Sequence, residues 1–219
     1  MKQIDEFFVS LTAETAEPHD EITCASGSFA KVVAVTGSMG SGKSTVVKRL
    51  ESLLPRAVAV HEDDHQSMTQ WTADDVRRWQ DAGGDVAKLP LEGLPDRLAM
   101  LRDPACGHCG IVLLESQFGR HHPALAPLVD FQIWLDVPAD VALARRVAQL
   151  AGERVDDSSA RLAWIARMSA AYAAWTATLV HRQRESVAAA ADVIVDAGGA
   201  VTDVVDRCIA AIARFRGAA

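Results

Sequence analysis

Apolar residues fall along this chain in two alternating rhythms. Short runs, mostly apolar and rich in β-branched residues, occur at Val32-Val33-Ala34-Val35, Ala57-Val58-Ala59-Val60, Ile111-Val112-Leu113-Leu114, Phe131-Gln132-Ile133-Trp134-Leu135 and Asp192-Val193-Ile194-Val195. Runs of this length suit strands buried on both faces. Between them the apolar positions recur at helical spacing. After Ser44 they are Val46, Val47, Leu50, Leu53 and Leu54, and in the last segment Val201, Val204, Val205, Cys208, Ile209 and Ile212. Further helices are expected over Thr72 to Asp81, from Arg97 to Leu101, after Pro138, and from about Ser158 to Arg184 with Leu162, Ile165, Ser169, Tyr172, Thr176 and Leu179 on one stripe. Strands that alternate with helices predict an α/β fold with a parallel sheet and helices on both faces.

The first run leads into Gly37-Ser38-Met39-Gly40-Ser41-Gly42-Lys43-Ser44-Thr45, which fits the Walker A pattern G-x-x-x-x-G-K-[ST]. Strand, glycine loop and helix follow in the order a P-loop requires. Glycines at 37, 40 and 42 let the backbone aim its N–H groups at a phosphate, with the helix N-terminus adding partial positive charge. Residues Gly37, Ser38, Gly40, Ser41, Gly42, Lys43, Ser44 and Thr45 are the expected ATP cradle. Lys43 would reach the β- and γ-phosphates, and the Ser44 hydroxyl would ligate Mg²⁺. In an open parallel sheet the carboxyl ends of strands face the ligand crevice, so Asp63, Asp64 and Glu115, each following a run, are delivered to the phosphate side. A carboxylate placed like Glu115 suits a Mg²⁺ ligand acting through water.

Composition narrows the classes. With 219 residues the chain can build one sizeable core, and 49% hydrophobic against 23% charged residues is ordinary for a globular protein. The 22 basic and 29 acidic side chains, a formal charge of −7, disfavour a nucleic acid polymer or an anionic membrane as partner. The acidic, interrupted amino terminus predicts no signal peptide, so a cytoplasmic protein with four reduced cysteines is expected. Cys106-Gly107-His108-Cys109 has metal-like spacing, with His121-His122 nearby, but no second C-x-x-C pair; it reads as a loop carrying thiols.

The order of these motifs resembles the uridine kinase and nicotinamide riboside kinase group of P-loop kinases, from about residue 31 to the end. The resemblance is carried by the P-loop, by Glu62-Asp63-Asp64 where the family has Q-D-D or Q-D-S, and by Leu114-Glu115 where it has E-G after an apolar run. Leu135-Asp136-Val137-Pro138-Ala139-Asp140 with Leu143-Ala144-Arg145-Arg146, and the late Ala191-Asp192-Val193-Ile194, complete it. The resemblance implies a P-loop NTPase fold with an N-terminal extension over 1–30, a kinase domain over 31–219 and a small helical lid at about 145–160. It implies that Asp63, near Mg²⁺, accepts the proton of an attacking hydroxyl, with Asp64 the alternative. Glu115 would serve Mg²⁺ or touch sugar hydroxyls. Arg145, Arg146 and Arg154 would belong to the lid that closes on the transferring phosphate, and Gly198 would meet adenine.

The sequence departs from the family where His65 and Gln66 follow Asp64 in place of Phe or Tyr, where Ser116 replaces a glycine, and where Gln149-Leu150 replaces an R-D pair. All three departures fall in acceptor or lid regions. Trp71, Trp79, Phe118, His65, Arg120 and Tyr172 are candidates for an acceptor pocket, because small-molecule sites combine aromatic faces with a few polar groups. The expected activity is ATP- and Mg²⁺-dependent transfer of the γ-phosphate to an alcohol, foremost a nucleoside hydroxyl. Pantothenate or a sugar-like metabolite is the alternative acceptor, and a non-enzymatic nucleotide-binding regulator the alternative class. Self-association is left open.

Overall fold

The computed structural model describes residues 29–66, 71–106, 110–152 and 158–217. The extension, with its apolar patch at Ile4, Phe7, Phe8 and Leu11, therefore lies outside the described residues, as do Gly107, His108, Cys109 and Arg154. All five apolar runs form strands: β1 (Lys31–Gly37), β2 (Ala57–His61), β3 (Ile111–Ser116), β4 (Phe131–Asp136) and β5 (Val193–Asp196). They make one parallel sheet in the order β2-β3-β1-β4-β5. β1 is central, and its first crossover runs to one edge while the chain later crosses it to reach β4. That change of direction places the crevice at the carboxyl end of β1, beside β3.

Alternation along β1 divides the core. Val33 and Val35 face a layer built with Val46, Val47 and Leu50 of α1 (Lys43–Leu53) and Val204, Val205, Cys208 and Ile212 of α7 (Val201–Gly217). Val32 and Ala34 face the other side, with Leu94, Leu98 and Leu101 of α3 (Leu94–Arg102) and with Leu125 and Val129. Both faces of the central strands are covered, which is why their sequences read as continuous apolar runs. α2 (Ala73–Asp81) begins at a capping box in which Thr72 and Asp75 satisfy each other's backbone N–H groups.

The remaining helices lie beside the carboxyl edge. α4 (Ala139–Gly152) follows β4, and α5 (Ser158–Ala171) starts the long helical segment expected to end near Arg184. The segment runs further, through a π-helical turn at Tyr172–Thr176 into α6 (Ala177–Val187). The inserted residue rotates the helix by roughly 100°, so the expected single stripe is not one buried face. Leu162 on that stripe is 67% exposed, and no residue of α5 is buried. α6 is anchored instead. Gln183 Nε2 donates to Gln117 O at 2.6 Å, and Arg184 grips Asp136 with two hydrogen bonds of 2.8 and 2.9 Å. The Arg184 guanidinium holds the Asp136 carboxyl below its ordinary range. Among the described residues, no helix is long and apolar enough to cross a membrane.

Asp130, at the start of β4, accepts the Val32 N–H at 2.8 Å and an Arg102 N–H at 3.1 Å. Val32 is fully buried. Asp130→Ala would leave that N–H unpaired, and urea unfolding should show a loss of about 1–3 kcal/mol; a loss below about 0.5 kcal/mol would count against the hydrogen bond.

Candidate active site

The P-loop forms the floor of a cleft of about 720 Å³. Two of its glycines are required by shape. Gly42, which precedes the first residue of α1, has φ +94°, and Gly40 has φ +80°, both in the left-handed region that side chains disfavour. A Cβ on Gly40 would also meet the Ala142 carbonyl oxygen at 2.0 Å, so the loop and α4 approach too closely for any other residue. Met39, Gly40, Ser41, Gly42, Lys43, Ser44 and Thr45 all line the cleft. Gly37 and Ser38 stand just behind them, and their carbonyl oxygens accept from Lys43 Nζ at 2.9 and 3.2 Å. Burial pushes the Lys43 ammonium below its ordinary value, against the opposing pull of Glu115, Asp63 and Glu62; Arg146 adds to the depression.

The carboxyl ends of β2 and β3 bring three acidic side chains to the same cleft. Glu115 Oε1 accepts the Ser44 hydroxyl at 2.5 Å, and Glu115 Oε2 lies 2.5 Å from His61 Nδ1. Asp63 is exposed on the cleft wall, and Gln66 Nε2 donates to its Oδ1. Asp64, the neighbour that sequence could not separate from it, is exposed outside that lining.

Glu62 is only 1% exposed. One oxygen, Oε2, accepts the Ser116 hydroxyl and the Gln117 N–H, the latter at 3.2 Å; the other, Oε1, has no hydrogen-bond partner among the described residues. Burial pushes the Glu62 carboxyl up to about 7. Ser116 Oγ in turn accepts from Phe118 N at 3.1 Å and Gly119 N at 2.7 Å. Glu62 and Ser116 thus meet each other, and their bond ties the β2 end to the loop after β3.

The two adjacent arginines of α4 diverge. Arg145 lines the cleft but spends its guanidinium on Ala197 O at 2.8 Å and Gly198 O at 3.0 Å. Arg146 lines the cleft, donates to Gln149 Oε1 at 2.9 Å, and stacks over the Trp164 ring at 5.9 Å. Its Nε has no hydrogen-bond partner among the described residues. Gly198 itself stands outside the lining, which is completed at that end by Ala197, Gly199, Val201 and Val204.

A second cavity of about 490 Å³ shares Gln117, Leu179 and Gln183 with the first. Of the six acceptor-pocket candidates it brings together Trp79 and Phe118, joined by His121, Arg182 and Glu185. The others are placed elsewhere. Arg120 is paired with Asp192, His65 Nδ1 contacts Glu92 O at 2.9 Å, Trp71 packs T-shaped against Trp79 with ring centroids 6.3 Å apart, and Tyr172 sits in the π-helical turn outside both linings. Sequence reasoning did not single out His61, Gln117, Thr176 or Gln183; only the position of His61 and Gln117 at strand ends could have drawn attention to any of them. Cys106 is an exposed free thiol.

No protein-family model matches the sequence, and no curated protein matches it. Among solved structures, one described as a fructose transport system kinase from Silicibacter sp. TM1040 is 18% identical, with 83% of this chain and 92% of that chain covered and a TM-score of 0.48. A gluconokinase from Sinorhizobium meliloti 1021 is 15% identical, with coverages of 86% and 94% and a TM-score of 0.46. A shikimate kinase from Acinetobacter baumannii, in complex with shikimate, is 15% identical, with coverages of 84% and 94% and a TM-score of 0.42. These likenesses are distant, and the chemistry of the cleft rests on its own residues.

The raised Glu62 carboxyl has a sign that can be measured. Between its ordinary value near 4.5 and its folded value of about 7 the native protein holds a proton that the unfolded chain has released, so stability falls as pH rises through that window and levels off above it. Glu62→Gln removes this cost. Its gain over the parent in metal-free urea unfolding should be larger at pH 8 than at pH 5 by about 2–3 kcal/mol, at about 1.4 kcal/mol per pH unit. A gain independent of pH would show that Glu62 does not titrate in this window.

Proposed function

We propose that this protein is an ATP- and Mg²⁺-dependent phosphotransferase that moves the γ-phosphate to a hydroxyl of a small molecule. The observation that carries the reading is the pair of contiguous cavities: one floored by the P-loop, the other beside it, with Gln117, Leu179 and Gln183 in their common wall. A nucleotide switch needs the first cavity. A second one opening beside the phosphate end favours a second substrate.

The donor set fits Mg²⁺ shared with nucleotide phosphates. It consists of the Ser44 hydroxyl with the Asp63 and Glu115 carboxylates, hard oxygen groups of the kind Mg²⁺ takes in ones and twos beside phosphate and water. Among the described residues, no cluster of three or more His, Cys, Asp or Glu side chains could hold a metal ion without such help. When bound, Mg²⁺ would supply positive charge that offsets the charge of the phosphates. The chain's own residues do the rest. The loop from Gly37 to Thr45 cradles the phosphates, and Lys43 exchanges its two carbonyl partners for phosphate oxygens. Asp63 orients the acceptor hydroxyl in line and takes its proton, a modest demand when the transition state is loose. Arg146 neutralises charge that develops on the transferred group, a role the family resemblance also gives to Arg154. The Ala197–Gly199 loop, which Arg145 clasps at the Ala197 and Gly198 carbonyls, borders the nucleotide base through Ala197 and Gly199.

For the acceptor, Trp79 and Phe118 favour a planar ring, and hence a nucleoside. The Trp79 ring is held in place because its Nε1 donates to Asp85 O at 2.9 Å. The cation and carboxylate of Arg182 and Glu185 in the same cavity favour a polyhydroxylated or acidic alcohol as the second reading. A cytoplasmic setting, where ATP and Mg²⁺ are abundant, is part of the proposal.

ATP consumption against a panel of nucleosides, pantothenate and sugars decides between these acceptors, and ATP binding without any acceptor-stimulated turnover would favour the regulator. Lys43→Ala should lower turnover by at least about a hundredfold through lost phosphate contacts, and undiminished turnover would overturn the role given to the P-loop. Asp63→Asn should reduce kcat by about 10²–10⁴ while ATP binding is retained. An unchanged kcat would remove Asp63 from the chemistry.

A further inference from the structure

His61 is the last residue of β2 and lies opposite Glu115 in the parallel pairing of β2 with β3. Its Nδ1 contacts Glu115 Oε2 at 2.5 Å, while Glu115 Oε1 accepts the Ser44 hydroxyl, also at 2.5 Å. A carboxylate only accepts, so Nδ1 carries the hydrogen of the first contact. Both oxygens of Glu115 are thereby occupied, and the plane of the carboxylate is held from two sides. A serine hydroxyl has one hydrogen and two lone pairs. With its hydrogen committed to Glu115, Ser44 turns its lone pairs away from that carboxylate.

We propose that His61 is a positioning residue: by donating to one oxygen of Glu115 it holds the other against Ser44, and so sets the hydroxyl orientation on which binding of a divalent cation with nucleotide depends. This deepens the reading of Ser44 and Glu115 as groups that serve a Mg²⁺–nucleotide complex and rests on it. The His61 side chain is 41% exposed and that of Glu115 13% exposed. Removing the ring therefore admits water to Glu115 and frees the carboxylate to rotate, without opening a cavity in the core. Outer partners of metal-binding groups typically contribute about 10–100-fold to metal affinity.

The test is calorimetry of ATP binding to the full chain, once in EDTA and once in excess Mg²⁺, the ratio of the two affinities giving the Mg²⁺ advantage. His61→Ala should cut that advantage about tenfold, with affinity in EDTA and the metal-free thermal midpoint close to the parent's. His61→Asn should recover most of the loss, because its Nδ2 is the same number of bonds from the backbone as the histidine Nδ1 and also donates. An alanine variant that keeps the full Mg²⁺ advantage, an asparagine variant no better than alanine, or a parent protein with no Mg²⁺ advantage would each overturn the inference. Failure of the kinase reading is separate: if no acceptor raises turnover while His61→Ala still loses its Mg²⁺ advantage, the activity falls and the role of His61 stands.

Discussion

The parallel register of β1, β2 and β3 at their carboxyl ends is the constraint on which the cleft depends. Val35 of β1 and His61 of β2 are both partnered with Glu115 of β3, one on each side. β1 then turns into the phosphate loop at that same level, and α1 begins with Lys43 and Ser44. Shifting β3 by one residue would turn Glu115 to the opposite face and bring a leucine or a serine to Ser44. In one direction that shift would carry Glu115 into the fully buried place of Leu114, a costly burial of charge. Core packing thereby positions a polar site, to whose lining it also contributes Val46 and Val204.

The same geometry leaves an electrostatic imbalance at the cleft floor. Burial drives Lys43 toward its neutral form and Glu62 toward its protonated form, so neither ion is fully solvated there. The nearby carboxylates of Glu115 and Asp63 support the ammonium only in part. A polyphosphate entering above Lys43 would strengthen its charged form, since an opposite charge a few ångströms away favours the ionised form. The loop is thus better suited to hold an anion than to remain without one. The backbone N–H groups and the amino terminus of α1 act in the same direction.

Local rules made the fold legible. β1, β3 and β4 are buried on two faces, the edge strands β2 and β5 less so, yet all five announce themselves as mostly apolar runs, and the P-loop is contiguous in sequence. The parts that were not legible are contacts between distant residues. Ser116 meets Glu62 across 54 positions, and Gln183 meets Gln117 across 66. No periodicity encodes either. The π-helical turn also escaped, because Tyr172 to Thr176 keep ordinary helical composition and only the phase of the flanking faces changes. Arg145 and Arg146 illustrate the same limit in one step of chain: a helix sends adjacent residues roughly 100° apart, so one arginine clasps the Ala197-Gly198 carbonyls while the other reaches Gln149 and Trp164.

The wall of the cleft formed by the long helical segment is unevenly supported, and the unevenness has a direction. α6 is fixed to the sheet at two strand ends, by Gln183 on the residue after β3 and by Arg184 on the last residue of β4. α5 has no buried residue, and Leu162 and Trp164 are among its exposed apolar side chains. Segments with few buried contacts open at the lowest free energy. Displacement of the wall is therefore least costly at α5, whose Trp164 ring lies beneath Arg146 of α4, and most costly at Gln183, which lines both cavities. The π-helical turn lies between the two halves and ends at Thr176, which lines the cleft. Such a layout anchors the boundary between the cavities by Gln183 and Arg184 and leaves α5 the least anchored part of the wall, which would suit a site that admits a large anion and then surrounds it.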